Sequence, residues 1–519
     1  MHIGVDVGGT NTDAVLLDGS QVVASIKSPT THDVGSGIVK AISSILESSR
    51  CAVSEVGSVM IGTTQFTNAF VEGKKLVPVA VVRAGLPATR SIMPMTEFPA
   101  HLISQIGRQC YLVEGGYNFD GTQINTLDEQ AVAEAARDIK KRAIKSVVVS
   151  GVFTPINDTM EMRMAQIIRQ EVPDVEVTLS SEIGRIGLIE RENAAIMNAS
   201  LAQLSSAVIE AFRSALRQLN IHCPFFVSQN DGTLMTSEFA EKYPVLTFAS
   251  GPTNSMRGAA FLSGVQNGIV ADIGGTTTDV GVLIGGFPRE SAISVDVGSV
   301  RTNFRMPDVL AVGLGGGSIV RQTEAGTKIG PDSVALDLLT KARIFGGNTL
   351  TTTDVAVAAG YADIGEKSHV SDLSHNAVEA AVSAIHNLLE TTVDRVKSSR
   401  GDVPVILVGG GSVLINREIK GASEVIRPEL SGVANAIGAG LAQVGGEIDR
   451  IYSYSDIGRD QSISQAKEEA INRAVEAGAS RASTDIVSIE EMPLAYLPAG
   501  AVRIKVKAIG DLDQAEALQ

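Results

Sequence analysis

The sequence predicts an α/β protein of two lobes, each built on a duplicated mixed sheet, with a small α+β segment at the end of the chain. Three observations lead there. A strand–turn–strand stretch is used twice: MHIGVDVGGTNTDAVLLDG at residues 1–19 returns in altered form as ADIGGTTTDVGVLIGG at residues 271–286. Buried-strand runs alternate with helical stretches around these copies, which calls for a parallel or mixed sheet with right-handed crossovers. At 519 residues the chain is also too long for one hydrophobic core, so several domains are expected. The expected boundaries are 1–185 for the first lobe with inserted segments, 186–449 for the second lobe and 450–519 for the small C-terminal segment.

The elements follow in order. After the first hairpin, residues 21–28 read as a third strand, and SGIVKAISSILESSR (36–50) has helical spacing with Ile38, Ile42, Ile45 and Leu46 on its apolar face. VGSVMIG (56–62) is a buried-strand run that stops at Gly62, Thr63 and Thr64, ahead of a short helix. Strands are expected at 77–83, 146–152 and 175–179, with helices at LDEQAVAEAARDIKKRA and at 158–171. Residues 188–219 read as one long helix, either a pivot between the lobes or a plain core helix. From Gly268 the opening pattern repeats. DVLAVGLGGGS (308–318) and DVPVILVGGGS (402–412) are strands running into glycine turns, and GVANAIGAGL (432–441) is a small-residue helix. A helix at 461–477 and strands at 486–489 and 502–506 complete the chain.

The repeated turn carries the chemistry. Two adjacent glycines allow positive φ and leave backbone N–H groups uncovered, forming an anion-binding concavity. The threonine hydroxyls add donors, and an aspartate at the end of the incoming strand can hold Mg²⁺ through water or orient a group near a phosphoryl centre. One copy alone reads as an ordinary glycine-rich hairpin. Two copies from similar halves can grip a polyphosphate from opposite sides. The strand ending in Gly62-Thr63-Thr64 reads equally as a ligand-facing strand end and as a helix N-cap.

Composition removes other classes. The net charge is −15 without a block of Lys or Arg, so nothing draws the chain to nucleic acid or to an anionic membrane. No apolar run reaches the roughly 18 to 20 residues that span a bilayer. The first strand begins almost at Met1, and a cytoplasmic location is expected. Cys51, Cys110 and Cys223 are scattered and form no C-x-x-C, and the seven histidines show no metal-ligand spacing.

With these residues in place, the chain resembles the hydantoinase/oxoprolinase family, within the actin-like ATPase superfamily of sugar kinases, actin and heat-shock chaperones. The resemblance rests on DVGGTNTD (6–13), GTTQFTNA (62–69), LSSEIG (179–184), SQNDGTLM (228–235), SGP (250–252), DIGGTTTDV (272–280) and GLGGGS (313–318). It implies ATP-dependent activation of a poorly electrophilic carbonyl, commonly a cyclic amide such as hydantoin, a lactam or 5-oxoproline. By that resemblance Gly8, Gly9, Thr10, Asn11 and Thr12, with Gly274, Gly275, Thr276 and Thr277, would cradle the phosphates. Asp6 and Asp272 would be catalytic and would hold Mg²⁺ through water. Gly409, Gly410, Gly411 and Ser412 would support the adenosine, and Thr63, Thr64, Asn68, Asn230, Ser250 and Gly251 would face the substrate.

Two departures stand out. Family members have a histidine where this chain has Leu310, which removes any proton transfer or metal ligation there. The chain also ends without the larger C-terminal region of full-length members, so the resemblance implies either one subunit of a two-component enzyme, with a companion hydrolase subunit, or a short branch with different chemistry. Which cyclic amide is used, and whether the chain forms a homo-oligomer, stay open. A small-molecule kinase and an ATP-driven reactivating chaperone share every nucleotide residue and remain as alternatives.

Overall fold

The computed structural model describes the chain except residues 9–10, 30–33, 292–293, 325, 442, 495–499 and 513–519. Its organising feature is one five-strand order built twice. In the first lobe the strands run Gln21–Pro29, Asn11–Asp18, His2–Val7, Ser58–Thr63 and Phe225–Ser228 across the sheet. The first three are antiparallel and the last three parallel. The second lobe repeats order and direction with Phe287–Pro288, Thr278–Ile284, Gly268–Ile273, Val403–Val408 and Ala422–Ile426.

The central strands are buried on both faces, which is why they read as continuous apolar runs instead of alternating ones. Ile3, Val5, Val59 and Ile61 are fully buried in the first lobe, and Ile269, Ala271, Val405 and Leu407 hold the same place in the second. Residues 79–179 form an inserted unit, a parallel sheet in the order Gln109–Glu114, Val79–Leu86, Ser146–Gly151 and Glu176–Leu179. A buried ion pair fastens it: the Arg83 guanidinium reaches the Glu192 carboxylate at 2.8 and 2.5 Å, and Ser150 donates to the same carboxylate at 2.5 Å.

Three expectations change. Phe225–Ser228, inside the expected second lobe of 186–449, is a strand of the first lobe's sheet, because it pairs with Ser58–Thr63. The strand Val444–Ser453 runs across the expected 449/450 boundary, pairs with Ala501–Gly510 and joins the first sheet through Leu234–Thr236. Asp485–Pro493 adds the outermost strand, so the C-terminal residues extend the first lobe's sheet to nine strands. Their edges are completed by strands distant in sequence, a pairing that local composition does not encode.

The expected long helix at 188–219 is two helices, Leu188–Ser200 and Ala202–Gln218, bent by 51°. It is core, not pivot: every residue from Arg191 to Ser200 is buried. No single helix among the described residues is long and apolar enough to cross a membrane.

The elements between the lobes are Ser250–Ser263 and Ala434–Leu441. They cross so closely that a Cβ on Gly258 would stand 1.9 Å from the Ala434 carbonyl oxygen, and one on Gly438 would stand 1.8 Å from that of Asn254. Only residues without a side chain permit this approach. Small size thus fixes where the two lobes meet.

Candidate active site

The two repeated hairpins have one geometry. The Gly8 N–H donates to the Asn11 carbonyl at 3.0 Å, and the Gly274 N–H donates to the Thr277 carbonyl at 2.9 Å. The registers set Asp6 directly opposite Asp13, and Asp272 directly opposite Asp279. Like charges facing across a strand pair destabilise a sheet. A fold that does this twice, at the same place in two halves, has a use for the carboxylates.

Asp6 is 4% exposed. Its Oδ2 accepts from Asn435 Nδ2 at 2.9 Å, while its Oδ1 is buried without a hydrogen-bond partner among the described residues. Gly62 makes the room, since a Cβ there would lie 2.5 Å from Asp6 Oδ1 and 2.6 Å from Asn254 Nδ2. Asn254 donates to Ser228 Oγ at 3.2 Å and leaves its own buried Oδ1 unpartnered. Burial, then the charge of Asp13, pushes the Asp6 carboxyl up to about 6, against the bond from Asn435 and the adjacent amide of Asn254. Asp272 also adds to the rise, so the two halves of the site act on one another.

Burial raises Asp13 as well, opposed by Lys27, whose Nζ reaches the two carboxylate oxygens at 2.7 and 2.6 Å. Burial raises Asp272 against a bond from the Ser255 side chain. Asp279 is pushed up to about 7 by burial and then by Asp272. An aspartate raised in the folded state binds its proton more tightly there than in the unfolded chain. Its contribution to stability is therefore present at low pH and lost as pH rises from 3.8 toward about 7. The melting temperature should fall between pH 5 and pH 8, and Asp279→Asn should flatten that fall. An unchanged slope in the variant would remove Asp279 as its source.

Two glycine triplets close on the second hairpin. Gly316 and Gly317 donate to the carbonyls of Gly274 and Gly275 at 3.0 and 2.7 Å. Thr352 and Thr353, at the start of helix Thr352–Ala358, donate to the Gly316 carbonyl at 2.8 and 2.6 Å. On the other side Gly409 has φ +82°, and a Cβ there would be 2.3 Å from Asp272 Oδ1. Gly410 faces open space. Ser412 closes the turn back onto Gly409, its N–H donating to that carbonyl at 3.2 Å.

Of the residues expected from the sequence, Gly8, Asn11, Thr12 and Gly274 to Thr277 therefore lie on the two matching hairpins, with Gly409 to Ser412 beside the second. Gly9 and Thr10 lie outside the described residues. Ser250 donates to the Thr63 carbonyl at 3.3 Å, and Gly251 lies against Thr64, so these residues from two distant segments do meet. Within that group Thr63 is fully buried, with its hydroxyl accepting from the Gln65 N–H at 3.3 Å. Asn68 stands at the rim, 3.4 Å from the Thr64 hydroxyl. Asn230 is enclosed, its side chain donating to the Arg305 carbonyl at 2.5 Å. Leu310 is a strand residue opposite Val280, packed against the second lobe's core.

Sequence reasoning did not assign Asp13, Asp279, Lys27, Asn254, Ser255 or Asn435. The first two end the repeated motif and could have been read from it. The others come from strands and helices whose approach only the fold creates. A cavity of about 580 Å³ lies elsewhere, against Arg185, Arg305, Glu447 and Asp449. Its charges largely satisfy one another: Arg185 pairs with Glu290 and Asp449, and Arg305 with Asp231 and Glu447.

No three His, Cys, Asp or Glu side chains among the described residues converge as a ready metal cage. Mg²⁺ does not require one, since it keeps several waters and binds through one or two carboxylates plus phosphate oxygens. The unpartnered Asp6 Oδ1 and the facing Asp272 fit that mode of binding.

Residues 2–172 match the hydantoinase/oxoprolinase N-terminal region, and residues 191–364 match hydantoinase/oxoprolinase. The acetophenone carboxylase gamma subunit of Aromatoleum aromaticum is 28% identical over 394 residues, covering 69% of this chain and 53% of that protein. The caprolactamase subunit alpha of Pseudomonas jessenii is 27% identical over 382 residues, covering 69% and 54%. The chain spans about half the length of these curated relatives. The crystal structure of ATP-dependent caprolactamase from Pseudomonas jessenii shares the fold, with a TM-score of 0.80 at 20% identity over 99% of this chain and 88% of that one. The doubled sheet is that of the actin-like ATPase fold.

Proposed function

The chain belongs to the hydantoinase/oxoprolinase family, and from that premise we propose that it is an ATP-dependent enzyme that activates the carbonyl of a cyclic amide for ring opening, as one component of a multi-subunit assembly. The observation that carries this reading is the pair of matching hairpins, one in each lobe, each bearing two opposed aspartates in the same register. Two relatives are named as subunits, one of a caprolactamase and one of a ketone carboxylase. Phosphorylation of a carbonyl oxygen is a step that suits both substrate types.

In the proposed reaction the bond from Pγ to ADP breaks as a new P–O bond forms to the amide oxygen. Water then adds to the imidate carbon, the C–N bond opens, and a second water releases phosphate. The turn residues Gly8, Asn11 and Thr12 and Gly274 to Thr277 would line the phosphates, since phosphoryl transfer asks a protein mainly for positioning and charge stabilisation. Asp6 and Asp272 would hold Mg²⁺ through water. The ion, when bound, would neutralise charge on the phosphate oxygens. Gly409 to Ser412 would flank the adenosine, with Gly410 leaving space for it. Thr64, Asn68, Ser250 and Gly251 would form the substrate side. A location in the cytoplasm fits the use of ATP.

The test is Mg²⁺-dependent ATP hydrolysis by the purified chain, with and without its candidate companion subunit, over hydantoins, lactams, 5-oxoproline and simple ketones with bicarbonate. Stimulation by one cyclic amide, with ADP, phosphate and ring-opened acid in equal amounts, is the expected result. A stable phosphorylated product would make the chain a small-molecule kinase instead. Stimulation by a ketone alone would move it to carboxylation.

A further inference from the structure

Resting on that reading of the cleft as an ATP site, we propose that Lys27 is a further phosphoryl-transfer residue, whose ammonium group meets the γ-phosphate of ATP and stabilises the charge that shifts during transfer.

The cleft presents four carboxylates, Asp6 and Asp13 from one hairpin and Asp272 and Asp279 from the other. A nucleotide polyphosphate entering it brings several more negative charges. Backbone amides supply only partial charges, so a full cation at the site would add to what a metal ion supplies. Among the described residues Lys27 is the cation whose charge bears on both halves of this cluster, on Asp13 by direct contact and on Asp272 across the cleft.

Its placement suits that task. Lys27 lies on the third strand, in direct register with Asp13, so its side chain leaves the sheet on the side of the carboxylates. The side chain is 38% exposed, whereas that of Asp13 is 2% exposed, so the ammonium sits at the mouth of the cluster with Asp13 beneath it. Asp13 holds it at 2.6 and 2.7 Å. An ammonium has three donors, and the contacts to the two Asp13 oxygens use at most two of them. Asp13 thereby becomes a positioning residue that stops a long flexible side chain from swinging into solvent.

The bland alternative is that Lys27 only neutralises a buried Asp13. Binding and turnover separate the two. ATP-analogue and ADP affinities should be measured by calorimetry for the wild-type chain, Lys27→Met, Lys27→Arg, Asp13→Asn and the Lys27→Met/Asp13→Asn double variant, together with melting temperatures and Mg²⁺-dependent ATP hydrolysis. If Lys27 meets the γ-phosphate, Lys27→Met should weaken binding of the ATP analogue about ten- to a hundredfold and that of ADP far less. The double variant should regain stability, because no unpaired buried charge remains, and yet stay equally slow. Lys27→Arg should keep part of the preference for ATP. Recovery of turnover in the double variant, or an unchanged ATP-over-ADP preference in Lys27→Met, would overturn the proposal. A wild-type chain that binds neither nucleotide would instead sink the ATP reading itself.

Discussion

Asp272→Asn should lower turnover by about three orders of magnitude, a loss of the size seen when a positioned acid–base or charge-stabilising group is removed. It should do so with a melting temperature near that of the wild-type chain. The change is nearly isosteric. Burial already penalises the charge on Asp272, and its neighbour Asp279 is pushed up in part by that charge. Removing the charge relieves repulsion inside the cluster, so folding has little to lose. Asp6 is a less clean target, because Asn435 donates to it and an amide there would face other amides. Steady-state kinetics beside a thermal melt checks the expectation. Full activity in Asp272→Asn would show that the second hairpin's aspartate has no part in the chemistry.

The second large effect belongs to the crossing between the lobes. Gly438→Ala should destabilise the protein by about 3 kcal/mol or more, the upper range for overpacking a close contact. The new methyl would stand 1.8 Å from a backbone carbonyl of Ser250–Ser263, which cannot rotate aside as a side chain would. The two helices must separate, and they carry Asn254 and Asn435, the amides that frame Asp6. Stability and nucleotide binding should therefore fall together, although Gly438 touches no ligand. Gly401→Ala is the matched control for packing, because a Cβ there meets nothing within 4 Å and the residue lies outside the proposed site. A wild-type melting temperature in Gly438→Ala would mean that the helices are not packed as described.

Much of the cleft was legible in the chain itself. The Gly-Gly-Thr-x-Thr-Asp turns announce themselves because a tight turn, its glycines and the aspartate before it are neighbours in sequence. The repetition at residues 6–13 and 272–279 gave the doubling, and the glycine triplets at 315–317 and 409–411 were recognisable as turns after buried strands. Residues 62–64 and 250–251 do meet in space.

Asn230, however, carried the same kind of signal and turned inward, because the approach of Arg305 claims its amide. The strands expected at 486–489 and 502–506 are strands, but the strand Val444–Ser453 was not read, and nothing local said that it would pair with Ala501–Gly510 and extend the first sheet.

The sequence by itself determined the turns, the strand and helix types and the doubling, since these depend on residues a few positions apart. Tertiary structure alone decided that Lys27 lies over Asp13, that Asn254 and Asn435 frame Asp6 and that glycines without side chains let the lobes meet there. Those choices depend on strand register and helix crossing, which are set by burial of distant apolar faces and by steric contact between backbones far apart in the chain.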